Sequence, residues 1–311
     1  MGTATLGPRS SCEKRADDGT TDQSSQGAAP QPAQAPLYFR VTEDSEQVPS
    51  LPAALKDLAA PEITRMVRHL PRMLFRPKAF LVSWNGVLTL AFEGIPAALL
   101  AFKDHLERLV PNLIAENPGS QWPKVSLGCL SGGPLTRAEL DTLSRVCDDA
   151  SRGLADLERA DDTGTGGGIV MDTLSLVVFG ARSLERPGVL AELEVACSGK
   201  ECWERPGMEA CAKVERVVAE TRGEEYWRRA CADGNREGHY RGACYGATLV
   251  HRLGWGEERG RNVLARAVGA FRDAVDSALG EGRYVWFAPE SLHVTVRGLR
   301  NYTEGAPDLS R

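Results

Sequence analysis

Two short stretches set a nitrogen-bearing side chain and a hydroxyl two residues apart among apolar neighbours: His293-Val294-Thr295-Val296 and Lys124-Val125-Ser126-Leu127. In an extended chain residues i and i+2 face the same way, so His293 projects with Thr295, and Lys124 with Ser126. If a pseudo-two-fold axis relates the two stretches, both pairs converge on one cleft. A phosphodiester held there meets two hydroxyls as oxygen contacts and two nitrogens as acid, base or charge clamp. An unperturbed imidazole titrates near pH ~6.5 and exchanges its proton readily, whereas lysine sits near ~10.4. Lys124 therefore suits a positive clamp, unless its surroundings lower that value by about 3 units. Two more histidines are candidates for a second imidazole. His239, in Gly238-His239-Tyr240-Arg241, precedes an expected strand, and His251 ends that strand. His69 and His105 fall in helical patterns and read as structural or solvated.

Several local signals define the elements that must position these residues. Apolar Ile63, Met66, Val67 and Leu70 give one helical face within 52–70, and Arg65, Arg68, Arg72 and Arg76 make the neighbouring segment 65–76 basic, a candidate partner contact. Asn85-Gly86 between the apolar runs 79–84 and 87–92 predicts a hairpin. Pro96 opens a helix that keeps its period to Val110, and 123–130 reads as a strand. Thr136 and Glu139 form a capping box, with Leu135 and Leu140 as its hydrophobic staple, for a helix reaching Gly153 or a little beyond. The glycines at 164–168 predict a flexible connection before a strand over 174–179. Residues 185–235 are polar and read as a helical insertion packed on the surface. A strand over 243–250, a helix through Leu264, Val268, Phe271 and Val275, and strands at 284–287 and 292–296 follow. Two alike halves of strands separated by helices predict an α+β duplicated arrangement, in which Lys124 stands where His293 stands in the second half.

The stretch Pro289-Glu290-Ser291-Leu292-His293-Val294-Thr295-Val296 resembles the H-x-T strand and lead-in of the 2H phosphoesterase superfamily, the RNA ligase-like and cyclic nucleotide phosphodiesterase-like proteins. The resemblance covers residues 79 to 300. It implies a two-lobe fold with antiparallel-rich sheets flanking a central cleft and helices outside. It also implies His293 as an acid/base residue, Thr295 and Ser126 as phosphate binders, and a 2′,3′-cyclic phosphate or related RNA or nucleotide ester as substrate, with neither metal nor cofactor. Lys124 departs from the pattern, which asks for His. Two readings stay open, a metal-independent cyclic phosphodiesterase and a catalytically degenerate module that binds a nucleotide or RNA end. A partner-binding protein on the same fold is the third.

The expected organisation is a disordered tail over 1–36, a helical lead-in over 37–78, the 2H-like domain over 79–303 with its insertion at 185–235, and a tail over 304–311. A formal net charge of -5 argues against a broad nucleic-acid groove acting by bulk positive charge, though not against a pocket for one phosphate. No apolar run reaches the ~18 residues of a membrane span. The first 29 residues lack the apolar centre of a secretory signal, and their acids suit no transit peptide. Eight cysteines include no C-x-x-C pair, so neither a disulfide framework nor a zinc site is expected. These features together predict an intracellular, cytoplasmic protein.

Overall fold

Twelve strands and eight helices are seen in the computed structural model, which describes residues 37–41, 53–58, 60–110, 113–116, 121–160, 167–255, 262–303 and 307. The expected tails at 1–36 and 304–311 (Pro307 aside) and the glycines before Gly167 lie outside the described residues. The strands are β1 (Leu37–Val41), β2 (Pro71–Phe75), β3 (Pro77–Val82), β4 (Leu88–Phe92), β5 (Lys124–Leu130), β6 (Ile169–Met171), β7 (Thr173–Phe179), β8 (Val189–Ala196), β9 (Gly199–Cys202), β10 (Tyr245–Arg252), β11 (Tyr284–Trp286) and β12 (His293–Tyr302). The helices are α1 (Ala53–Lys56), α2 (Ala60–Arg68), α3 (Ala97–Leu109), α4 (Arg137–Ala160), α5 (Met208–Glu220), α6 (Trp227–Ala230), α7 (Glu237–Arg241) and α8 (Val263–Leu279). The fold is mixed α+β with antiparallel-rich sheets, ordered β1-β8-β7-β10-β12, β11-β5-β4-β3 and β6-β2-β9. Among the described residues no helix is long and apolar enough to cross a membrane.

Local chemistry fixes the four-stranded sheet. Asn85 and Gly86 both adopt positive φ (60° and 76°), the twist that closes the β3–β4 hairpin without splaying it. A side chain on Gly86 would also meet Leu130 Cδ1 at 2.7 Å. The capping box forms as expected: Thr136 N donates to Glu139 Oε2 at 2.7 Å, and Glu139 N donates to Thr136 Oγ1 at 3.2 Å. Phe80 of β3 stacks on Phe271 of α8 at 4.3 Å, tying helix and sheet.

Two related strand pairs follow one another with a helix between their members. β4 leads through α3 directly to β5, its antiparallel neighbour, whereas β10 leads through α8 and then β11, which joins the β5 sheet, before reaching its antiparallel neighbour β12. Ala91 pairs with Lys124 and Thr89 with Ser126, then a bulge skips Leu127 before Leu88 pairs with Gly128. In the other sheet Arg252 pairs with His293 and Val250 with Thr295, then a bulge skips Val296 before Leu249 pairs with Arg297. Both bulges fall at the same position after the first residue of their stretch. The second one turns Arg297 to the core side, where it donates to Glu107 and to the Ile114 carbonyl.

Two readings of the sequence need correction. Residues 189–196 are not part of a helical insertion: β8 is a long strand beside β7 and β1, β9 also falls within 185–235, and α5 and α6 supply the α-helix there. Its Ala, Leu and Glu composition favours helix, but alternate residues Leu193 and Val195 find a sheet core to enter, and packing overrides propensity. The lead-in is likewise not purely helical, because β1 and β2 lie within 37–78. The basic segment 65–76 is split between α2 and β2, and Arg72 is committed to Glu201 at 2.6 Å and Arg76 to the Trp203 carbonyl at 3.1 Å.

Candidate functional site

The five-stranded sheet has two unlike faces. Leu174, Leu176, Val178, Leu193, Val195, Leu249, Val294 and Val296 pack into the core from one of them. Cross-strand partners share a face, so the registers place His293, Thr295, Arg252, Ser175, Glu194, Glu192, Arg40 and Tyr38 together on the other. In β12 the alternation is half-buried His293, buried Val294, half-buried Thr295, buried Val296. β5 repeats it with Lys124, Val125, Ser126 and Leu127.

The ring of His293 is fixed by the turn that precedes it. Ser291 closes a short helical turn by donating to the Ala288 carbonyl at 2.8 Å, and its own carbonyl lies 2.7 Å from His293 Nδ1. Nδ1 must then carry the proton, which leaves Nε2 with a free lone pair. Burial pushes the imidazole down to about 4; the Ser291 carbonyl opposes this, Arg252 adds to it and Glu192 opposes it. At neutral pH His293 is therefore an uncharged base. Arg252 holds Glu192 through two contacts of 2.6 and 2.8 Å and reaches toward the Leu184 and Glu290 carbonyls.

Lys124 starts β5 with its Nζ 4.3 Å from the Trp122 ring centroid. Burial lowers its ammonium to about 8, so it stays mostly charged at pH 7 yet can release a proton far more easily than a solvated lysine. Ser126 lies beside the hydroxyl of Tyr240 on α7, a phenol that burial raises to about 12 while Ser126 works to lower it. The Tyr240 ring lies 4.9 Å from that of Phe287, whose N–H ends the β11 edge by donating to the Leu127 carbonyl at 3.0 Å. From Phe287 only a few residues lead to Ser291 and His293, and β12 lies in contact with β5. The chain between β11 and β12 thus carries the protein from the Ser126 strand to the His293 strand.

The remaining histidines separate cleanly. His239 neighbours the Ser126 side: its ring packs edge-on to Tyr240 at 5.1 Å, and Arg182 Nη1 lies 3.3 Å from its Nδ1. Burial and then Arg182 lower its pKa. His251 points the other way. It pairs with Val294 rather than His293, is buried near Phe75, and donates from Nδ1 to the Thr173 carbonyl at 3.0 Å. It belongs to the core and not to the face of His293. Sequence reasoning missed Tyr240, Arg182 and the Arg252–Glu192 pair, although Tyr240 directly follows His239 and Arg252 directly follows His251. Among the described residues no group of three or more His, Cys, Asp or Glu side chains is arranged to hold a metal ion.

Two surface cavities lie away from Lys124 and Ser126. One, of about 290 Å3, runs between β3, α4 and the α5–α6 region; the other, of about 450 Å3, lies over β1 and β8 and is bounded by Arg252 and Glu290. Neither is lined by Lys124, Ser126, His293 or Thr295. Comparison with protein-family models, with curated proteins and with solved structures finds no match, so the residues above carry the functional reading by themselves.

Proposed function

We propose that the chain is a two-lobe 2H-type phosphoesterase-like protein that opens 2′,3′-cyclic phosphates at nucleotide or RNA ends. The observation that carries this reading is the repeated register. Lys124/Ser126 and His293/Thr295 occupy equivalent positions in two antiparallel strand pairs, β4–β5 and β10–β12, each followed by a bulge at the same step. A duplicated unit of this kind supports a cleft in which the two hydroxyls grip phosphate oxygens from opposite sides. Water attacks phosphorus while Nε2 of His293 takes its proton, and the bond from phosphorus to one ribose oxygen breaks. Lys124 Nζ gives that oxygen a proton, leaving a ribose phosphomonoester, and solvent returns the proton from His293 to Lys124. A bound phosphate raises the pKa of His293 from its unliganded value, which brings the base closer to working pH.

Binding without turnover is the second reading. It is favoured by the indole of Trp122 beneath Lys124, a contact that rewards the charged ammonium and resists its deprotonation. Incubation with 2′,3′-cyclic AMP and with a short oligoribonucleotide ending in a cyclic phosphate, resolved by chromatography, separates the two. Conversion that falls by about 100-fold or more in His293→Ala supports the enzyme. Saturable binding without conversion, weakened in Lys124→Ala, supports the binding module. No conversion and no binding overturns both.

A further inference from the structure

We infer that α7 is a lid over Ser126, latched by Glu185 and Arg241, which has to lift before a cyclic phosphate can bridge β5 and β12. The inference rests on the phosphoester reading and adds how access to that site is controlled. Register puts Lys124 and Ser126 on one face of the four-stranded sheet with Ala91, Thr89 and Leu81. The chain between β9 and β10 runs along that face. Val214 of α5 closes a small apolar cluster with Leu81, Ala91 and Trp122, whose ring lies beneath Lys124. Further along, α7 sets the Tyr240 hydroxyl beside Ser126. A phosphate oxygen bound to Ser126 competes with this phenol for the serine hydroxyl.

The two helices over this face are held differently. A Cβ on Gly94 would meet Pro206 Cβ at 2.9 Å and the Ala210 backbone at 3.0 Å, so α5 is seated tightly against its surroundings. α7 has five residues, none of them fully buried, and polar contacts hold it. Ser183 N donates to the Tyr240 carbonyl at 2.9 Å, and Arg241 donates to both oxygens of Glu185 at 2.8 Å. Glu185 also accepts from Ala288 N at 3.2 Å. Glu185 belongs to the β7–β8 connection and Ala288 to the chain leading into His293, so one carboxylate ties α7 to both. Segments with few buried apolar contacts open at low free-energy cost. Gly242, directly after α7, supplies the pivot. A Cβ there would fall 2.3 Å from the Gly238 carbonyl oxygen, and glycine tolerates the new backbone angles that lifting demands. Lifting breaks the Glu185 latch and leaves α5, β5 and β10 in place.

Amide hydrogen exchange and the dissociation constant for 2′,3′-cyclic AMP, measured on the same full-length variants, test the lid. Glu185→Gln keeps the shape of the latch and removes its charge. It is expected to speed exchange across residues 236–242 by about 10-fold or more, with β5 and β10 unchanged. Cyclic AMP binding should tighten by the same factor, because both quantities follow the population of the open form. Tyr240→Phe keeps the ring and loses the hydroxyl, and is expected to tighten binding by about 5-fold. Weaker binding in Tyr240→Phe overturns the inference and makes the phenol a ligand contact. Exchange that rises as much in β10 as in α7 also overturns it, since Glu185 is then a general stabiliser. Wild-type binding that neither variant tightens overturns the lid while leaving the phosphoester reading standing. Failure of the wild type and both variants to bind removes that reading and the lid's role with it.

Discussion

Replacing Lys124 is the sharpest probe of the proposed chemistry, because lysine, histidine and arginine differ in when they hold a proton. Lys124 titrates at about 8 instead of 10.5, so burial costs its charged form about 3 kcal/mol relative to water. As proton donor it works only while protonated, and His293, near 4, works only while neutral. The profile of kcat/KM, which reports the free enzyme, should then be flat from about pH 4 to about pH 8 and fall beyond either end. Lys124→His should retain turnover and draw the alkaline limb down to about pH 6.5 or below. Lys124→Arg keeps the positive charge but gives up no proton near neutral pH, so turnover should drop by about 100-fold or more while cyclic phosphate still binds. Initial rates across pH 3.5–10 with a fluorescent cyclic-phosphate substrate supply the measurement. An alkaline limb that stays put in Lys124→His, or full activity in Lys124→Arg, would refute Lys124 as the acid and leave it as a clamp.

Other outcomes follow from the same geometry. Thr295→Val and Ser126→Ala each remove one hydrogen bond to a charged ligand and should weaken cyclic-phosphate binding by roughly 10- to 100-fold in calorimetry, with little change in melting temperature. The folded pKa of His293 lies below the unfolded value, so the unfolded chain binds the extra proton first. Stability should therefore be full above pH 6.5 and be lost as pH falls toward about 4, by at most ~3 kcal/mol, and urea titrations of His293→Asn should show a shallower loss. Glu139, held down to about 2 chiefly by Arg283, behaves oppositely to a neutral-pH switch: its contribution is intact above pH 4.5 and disappears as pH drops from there to 2. Glu139→Gln should flatten that acid limb. Glu192→Ala leaves Arg252 without its carboxylate in a largely buried position and should cost about 3 kcal/mol in chemical denaturation, far more than loss of an exposed pair.

What the sequence disclosed and what it hid follow the range of the interactions involved. The Asn85-Gly86 turn, the capping box at Thr136 and Glu139, and the helix ended by Gly280 rest on neighbours within a few residues, and each is present in the structure. Strand β8 could not be read that way. Its Val-Leu-Ala-Glu-Leu-Glu-Val-Ala sequence fits helix and strand alike, and only β7 and β1 on its flanks decide the matter. Bulges were equally hidden, since nothing in Leu127 or Val296 marks them as the residues to be skipped. At the site, alternation alone paired His293 with Thr295 and Lys124 with Ser126. Tyr240 reaches Ser126 from 114 residues further along the chain, a contact no local spacing announces. His251 lay one residue from the face it was weighed for, and strand parity sent it into the core while its neighbour Arg252 took the place beside His293.

Convergence of the two strands on one phosphate is the central claim, and nuclear magnetic resonance of the ring and ammonium nitrogens reports on it most directly. With selectively labelled histidine and lysine, a 2′,3′-cyclic nucleotide is titrated into the full-length protein at pH 6.5, and the signals of His293 Nε2 and Lys124 Nζ are followed together. The expected result is that both move with the same dissociation constant, that His251 does not respond, and that Ser126→Ala and Thr295→Val weaken both responses alike. Movement of one signal without the other, or two unequal dissociation constants, would contradict a shared cleft.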